Sequence, residues 1–491
     1  MIDLTMNEEV LEHAVQRARE RNIIIPTFEQ QNNPKRNVPH SIIDELSNLS
    51  LWDVSPRNLF RITWKNEPVD HGGGFQDVSN YIELPPELTG VEARIIALVG
   101  KWFPTGAHKV GAAFGCLVPR LVTGQFNPVT QKAVWPSTGN YCRGGAFDSS
   151  LLACESIAIL PEEMSKERFD WLKTVSGEII KTPGGESNVK EIFDKCWELR
   201  AERGEESIVI FNQFDEFGNY LWHYEITGNA MKEVLDKELN RANYRGLCLT
   251  TGSAGTLGCG DLLKRLYPKS KISAGESIQC PTLLLNGYGY HRIEGIGDKH
   301  VPWIHNVKNT DLIIAIDDQD CMNLLRLFNE PAGHMYLKEQ GVSEEIIDQL
   351  PLLGISSIAN TLMAIKMAKY YEMTSNDLIL TVFTDSTEQM YQSRLRELKA
   401  QFGDYKDRNA AIDYHRSLCG IKTDSMIELR YPEKLRIHHL KYYTWIEQQS
   451  KKIEELNNQW YDYENYWRKI QEITPLIDEL IIQFNEKVGL L

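Results

Sequence analysis

Leu247-Cys248-Leu249-Thr250-Thr251-Gly252-Ser253-Ala254-Gly255-Thr256-Leu257-Gly258-Cys259-Gly260 runs directly into Asp261-Leu262-Leu263-Lys264-Arg265-Leu266. The first four residues read as a buried strand, the glycines and hydroxyls as a turn, and the last six as a helix. Glycines let a backbone approach a ligand closely, and successive N–H groups at a helix start cradle a phosphate. The turn lacks the G-K-[ST] ending of a nucleotide P-loop and the G-x-G-x-x-G spacing of a dinucleotide site. A small phosphorylated cofactor suits it better.

The same grammar extends to both sides. Ala93-Arg94-Ile95-Ile96-Ala97-Leu98-Val99, Ser156-Ile157-Ala158-Ile159-Leu160, Ile208-Val209-Ile210-Phe211, Leu312-Ile313-Ile314-Ala315-Ile316 and Leu378-Ile379-Leu380-Thr381-Val382-Phe383 alternate with amphipathic stretches. Strands alternating with helices predict an α/β fold of doubly wound, mostly parallel sheets, with ligands bound beyond the carboxyl ends of the strands.

Three further turns carry chemistry. Pro104-Thr105-Gly106-Ala107-His108-Lys109-Val110-Gly111 holds a lysine before a run of small residues. A lysine becomes a nucleophile or Schiff-base partner when desolvation or a nearby charge lowers its pKa. Pro136-Ser137-Thr138-Gly139-Asn140-Tyr141 follows the strand-like Ala133-Val134-Trp135 and offers hydroxyls, an amide and N–H groups to a carboxylate. Gly354-Ile355-Ser356-Ser357-Ile358-Ala359 opens an apolar helix. Alone, the lysine matches a solvated surface charge and each of the other two turns an ordinary capped helix start. Together they supply a lysine, a phosphate cup, a carboxylate loop and a hydroxyl, the needs of pyridoxal 5'-phosphate acting on an amino acid.

The chain has 491 residues, 42% hydrophobic and 25% charged, with a net charge of -15. The acidic balance argues against broad nucleic-acid or anionic-membrane binding. No apolar run is long enough to span a bilayer, and the acidic start lacks a signal-peptide pattern, so a cytoplasmic protein is expected. The nine cysteines are scattered without a C-x-x-C pair, which fits reduced, buried thiols and no metal site. Residues 1–80 read as a partly helical lead-in that contains Gly72-Gly73-Gly74. Near the other end, Ile446, Ile453, Leu456, Trp460, Tyr463, Trp467 and Ile470 recur at helical spacing and predict one long amphipathic helix. Thr474-Pro475 then starts a second helix, and Gly489 ends it.

At this point the chain resembles the fold-type II pyridoxal-phosphate enzymes (the tryptophan synthase beta-like superfamily), and looks closest to the cysteine synthase and cystathionine beta-synthase branch. The resemblance covers about Tyr81 to Met390. Tyr81-Ile82-Glu83-Leu84-Pro85 resembles the entry strand, and Pro104-Thr105-Gly106 through Lys109 the lysine motif. Ser137-Thr138-Gly139-Asn140 resembles the carboxylate loop, and Gly252-Ser253-Ala254-Gly255-Thr256 the phosphate loop. Asn212-Gln213-Phe214, His291-Arg292-Ile293-Glu294-Gly295-Ile296-Gly297, Gly354-Ile355-Ser356-Ser357 and Thr384-Asp385-Ser386 are similar to its remaining signatures. There are departures. Ala107-His108-Lys109 is closer to tryptophan synthase beta, but Ser137 stands where that enzyme carries a catalytic glutamate. Val110-Gly111 replaces the Asp-Arg usual in cysteine synthases, and Ala254 replaces a glycine. No haem-binding or regulatory tandem domain of the cystathionine beta-synthase kind is evident.

The resemblance implies a lead-in over 1–80 and a catalytic core over 81–395, made of two α/β subdomains with the smaller at about 100–205. A helical extension follows over 400–491. It implies Lys109 as the catalytic residue. The cofactor would rest on Lys109, His108, Asn140, Gly252, Ser253, Gly255, Thr256 and Ser357, with Ser357 rather than Ser356 facing the pyridine nitrogen. The substrate would rest on Ser137, Thr138, Gly139, Gln213 and Gly295. The expected reaction is β-elimination or β-replacement through an aminoacrylate, with a small amino acid and a thiol or other small nucleophile as partners, in a homodimer. The rival readings are a serine/threonine ammonia-lyase, a cysteine desulfhydrase, and a non-catalytic interaction protein that binds pyridoxal phosphate.

Overall fold

The computed structural model describes residues 1–67, 73–137, 139–164, 166–185, 188–240, 242–297 and 299–490; Gly72 and Thr138 of the motifs lie outside them. The strands are β1 Tyr81–Leu84, β2 Arg94–Val99, β3 Lys132–Pro136, β4 Ser156–Pro161, β5 Glu178–Thr182 and β6 Ile208–Ile210, followed by β7 Asn243–Thr250, β8 Lys271–Ser277, β9 Leu312–Ile316, β10 Asp377–Phe383 and β11 Met426–Glu428. They form a seven-stranded sheet in the order β1-β2-β10-β7-β8-β9-β11 and a four-stranded sheet in the order β5-β4-β3-β6. The four-stranded sheet is parallel throughout. In the larger sheet only β1 and β11 run antiparallel to their neighbours.

The continuous apolar strands of the sequence are the central ones. β9 and β10 are buried along their whole length, as strands covered by helices on both faces must be. β1 alternates half-buried and buried residues, as an edge strand does. The apolar helix Ile355–Tyr370 packs on β7 and β10.

The helix Lys109–Val122 follows β2 and brings the lysine to the carboxyl end of the sheet. It crosses the helix Phe217–Trp222 at a backbone contact: a Cβ on Gly115 would sit 2.4 Å from the Gly218 carbonyl, and one on Gly218 2.1 Å from the Gly115 carbonyl. Glycine at both positions therefore sets how near the lysine's helix comes to the Gln213 segment.

The tail differs from the single helix expected over 446–470. It is broken into Tyr431–Lys441 with a π-turn to Ile446, then Ile453–Tyr461 and Tyr463–Gln471. Ser450 takes a left-handed φ of 55° at the first break. Side chains satisfy carbonyls around the breaks: the Trp467 indole donates to the Gln459 carbonyl at 3.2 Å, and His438 Nε2 lies 3.1 Å from that of Leu456. Apolar spacing records which face is covered, but not where the axis turns. The final helix, Thr474–Val488, begins and ends where expected, with Gly489 in the left-handed conformation as its cap.

Both chain ends pack on the core. Helix Glu8–Glu20 buries Leu11, Ala14, Val15 and Ala18 in the same apolar cluster as Ile477, Ile481, Phe484 and Val488. The Asn485 side chain exchanges two hydrogen bonds with the Ile25 backbone, at 2.8 and 3.0 Å. All nine cysteines are free thiols, eight of them buried. Among the described residues no helix is long and apolar enough to cross a membrane.

Candidate active site

Segments that follow the carboxyl ends of β2, β3, β6, β7 and β10 meet at one cavity. This is where an open parallel sheet presents loops and helix starts to a ligand. The cavity is lined by His108 and Lys109, by Ser137, Gly139 and Asn140, and by Gln213. Gly252, Ser253 and Thr256 come from the turn after β7, and Gly295 from the loop between β8 and β9. Gly255 lies within the same turn but off the lining.

Lys109 Nζ donates to Ser253 Oγ at 3.0 Å and to Gln213 Oε1 at 3.5 Å. Gln213 Nε2 donates to Ser137 Oγ at 3.1 Å, and the Gly139 N–H donates to the same oxygen at 3.2 Å. The lysine, the phosphate-type turn and the carboxylate-type loop are thus joined through side chains alone.

Behind the turn, Asn219 Nδ2 donates to Ser253 Oγ and to the Gln213 carbonyl, each at 2.9 Å. A Cβ on Gly255 would fall 2.1 Å from Asn219 Oδ1, so this glycine is what lets the turn close down. Ala254 sits at φ 62°, and a left-handed residue inside a turn aims successive N–H groups to one side. A turn of this kind can offer N–H groups to an anion.

His108 is buried, stacked on Trp64 at 5.5 Å and edge-on to His223 at 5.0 Å. Burial, reinforced by the neighbouring Lys109 charge, pushes its pKa down to about 3, so it is a neutral imidazole. Neither of its ring nitrogens has a hydrogen-bond partner among the described residues. Asn140 Oδ1 and Thr384 Oγ1 are likewise buried and unpartnered. Buried polar atoms without partners are rare, and several around one cavity mark a site built for a polar ligand. Pyridoxal 5'-phosphate fits this set: an N–H-rich turn and a neutral histidine for phosphate, an amide and hydroxyls for the ring, and a lysine.

The helix opened by Gly354 presents Ser356 and Asn360 to the cavity, residues one turn apart. Ser357, which the motif singles out, is fully buried and off the lining. The 3.6-residue period puts the first serine of the pair on the cavity face. Thr138 lies outside the described residues.

A buried polar network behind the carboxylate loop has no spacing signature in the sequence. Asn140 Nδ2 donates to Asp385 Oδ2 at 2.8 Å, as does the Tyr391 hydroxyl. Burial pushes the Asp385 carboxyl above the usual range, while Asn140 and Arg168 draw it back. Arg168 pairs with Glu294 at 2.9 Å, with side chains only 2% and 6% exposed, and Arg394 pairs with the other oxygen of Glu294 at 3.1 Å. A Cβ on Gly139 would lie 2.8 Å from Arg168 Nη1, so the carboxylate loop rests directly on this guanidinium. A second, larger cavity of about 720 Å³ borders Arg120, Asn212, Glu216 and Lys451.

In solved structures this fold recurs in O-acetylserine sulfhydrylase isoform 3 from Entamoeba histolytica. That structure is 18% identical and aligns over 79% of this chain and 98% of its own, with a TM-score of 0.56. It recurs also in a hydrogen sulfide-producing enzyme from Fusobacterium nucleatum, 22% identical over 63% of this chain and 95% of its own, with a TM-score of 0.53. No model of a known family matches the chain. Among curated proteins, a cysteine synthase of Staphylococcus aureus is 30% identical over 293 residues, 60% of this chain and 86% of the relative. Cystathionine beta-synthase of Saccharomyces cerevisiae is 25% identical over 308 residues, 61% of this chain and 57% of the relative. The chain belongs to the cysteine synthase family, a family of pyridoxal-phosphate enzymes.

Proposed function

We propose that the chain is a pyridoxal 5'-phosphate-dependent enzyme that carries out β-replacement or β-elimination on a small amino acid, as a cysteine synthase does. The observation that carries this reading is the hydrogen-bonded run Ser253–Lys109–Gln213–Ser137, which ties the turn after β7 to the loop after β3. When bound, pyridoxal phosphate supplies an electron sink that acidifies the substrate's α C–H and assists loss of a β substituent.

The chain's own residues do the rest. The N–H groups of Gly252, Ser253, Gly255 and Thr256 take the phosphate, and neutral His108 donates one more hydrogen bond. Asn140 orients the phenolic side of the ring, and Ser356 meets its nitrogen in place of Ser357. A hydroxyl leaves that nitrogen largely unprotonated, since it stabilises a pyridinium far less than a carboxylate would. Ser137, Thr138, Gly139 and Gln213 bind the substrate carboxylate, with Gly295 on the facing wall. Lys109 Nζ, 3.5 Å from Gln213 Oε1, is placed to take the α proton of a substrate held by that glutamine. The reading further expects a cytoplasmic homodimer, and the mass of the purified protein in solution checks the dimer.

Titration of the holoenzyme with O-acetylserine, serine and cysteine, followed by absorbance, tests the reading. One of them should shift the cofactor's visible band, and keto acid or a thioether product should accumulate. A bound cofactor that ignores every β-substituted amino acid tried would leave only the interaction-protein reading.

Gly255→Ala probes the phosphate turn. Its methyl group collides with Asn219, and overpacking of this kind costs about 1–3 kcal/mol. The affinity of the apoprotein for pyridoxal phosphate should fall roughly 10- to 100-fold by absorbance titration, at about 1.4 kcal/mol per tenfold. Unchanged affinity would show that the phosphate binds elsewhere.

A further inference from the structure

Gln213 and Phe214 line the catalytic cavity, but the next residues turn outward to the C-terminal tail. Lys451 of the tail pairs with Asp215 at 2.7 Å, both side chains being partly buried. Lys451 is itself anchored, because its N–H donates to the Trp445 carbonyl at 2.8 Å. Trp445 is fully buried and its indole donates to the Val301 carbonyl at 2.8 Å. The rings of Trp445, His300 and Phe214 stack edge to face in sequence, at 5.7 and 4.8 Å. Lys441, fully buried, donates to the carbonyls of Trp303 and His305, and the Ile304 N–H donates to the Phe214 carbonyl at 3.3 Å. The tail therefore grips the outer side of a segment whose inner side faces the site.

Charge explains why a lysine is needed there. Asp215 and Glu216 are adjacent acids, and burial pushes Glu216 above the usual range despite its pairing with Arg120. Without Lys451, the adjacent carboxylates of Asp215 and Glu216 would repel each other with only Arg120 as a nearby cation. Relief would come from opening the turn, which displaces Gln213 two residues away.

We propose that Lys451 is a positioning residue for the catalytic site: through Asp215 it fixes Gln213 in the place where that side chain meets the substrate carboxylate. The proposal rests on the carboxylate role given to Gln213 above. It makes the tail a working part of the site, acting on substrate binding and not on the bond-breaking step.

The test compares Lys451→Met with Lys451→Arg in the full-length holoenzyme, with Asp215→Asn as a second way to remove the pair. Hydrogen exchange of the amides of residues 212–217 is read alongside KM and kcat. Lys451→Met and Asp215→Asn should speed exchange in that segment and raise KM about tenfold with kcat within about twofold, the pattern of lost uniform binding. Lys451→Arg should restore both. Wild-type exchange over 212–217 in both disrupted variants would overturn the proposal. Faster exchange with an unchanged KM would uphold the tail's hold on the segment and instead remove Gln213 from the substrate site, so the two readings fail separately.

Discussion

Lys109→Ala should leave a folded protein that turns over no amino acid. Nζ makes hydrogen bonds to Ser253 and Gln213 at the mouth of a cavity, so its loss opens no hole in the apolar core. Those two partners face a cavity, where water can replace the lysine, and the thermal midpoint should move by only a few degrees. The proton-transfer role alone is worth about 10²–10⁴-fold in rate. Loss of the covalent hold on the cofactor comes on top of that. Two signals report the result: kcat falls beyond detection, and the visible absorbance of bound pyridoxal phosphate moves toward that of the free cofactor. Lys109→Arg should do the same, because a guanidinium keeps the charge but cannot act as a base near neutral pH. A Lys109→Ala protein with wild-type absorbance and turnover would remove the lysine from the mechanism altogether.

The second large effect is on stability. Glu294→Gln should lower the free energy of unfolding by about 3–5 kcal/mol, the range for breaking a buried ion pair by removing one partner. Arg168 is 2% exposed and would keep its charge while losing one carboxylate. Arg394 is less affected, being partly exposed and also paired with Glu397 at 2.8 Å. The pair spans the two sheets: Arg168 lies on the helix Lys166–Val175 beside β4 and β5, while Glu294 sits between β8 and β9. Urea unfolding followed by tryptophan fluorescence gives the magnitude. Replacing both partners with apolar residues, Arg168→Met with Glu294→Leu, should recover part of the loss, since the pair's own two charges are then gone while Asp385 and Arg394 each lose one partner. If the single substitution costs less than about 1 kcal/mol, the pair behaves as a solvated surface bridge and the sheets are held together elsewhere.

These two residues also mark where the sequence stops speaking. The lysine is legible because its motif is local, eight consecutive residues with a glycine on each side. Central strands are legible for a similar reason, as short, almost wholly apolar runs such as Leu312–Ile316 of β9 and residues 378–383 of β10. β8 is not, since Lys271-Ile272-Ser273-Ala274-Gly275-Glu276-Ser277 is mostly small and polar although nearly all of it is buried. Arg168 and Glu294 are 126 positions apart, and Asn140 and Asp385 are 245 apart. No spacing rule reaches that far. Each pair comes together only when sheet order places the end of one strand against the loop of another. Ser356 against Ser357 is a finer case: the motif gives the serine pair, and only the helical phase decides which of the two faces inward.

The meeting of the two chain ends has a consequence for how the protein is made. Helix Glu8–Glu20 leaves the ribosome long before its cover, Thr474–Val488. At about 5–20 residues per second, tens of seconds separate the two. Through that interval Leu11, Ala14, Val15 and Ala18 lack the apolar surface of Ile477, Ile481 and Phe484. The nascent chain thus carries a partly uncovered sticky stripe until Thr474–Val488 has been made. Premature termination anywhere before Thr474 leaves it permanently open, the kind of surface that chaperones and proteases recognise.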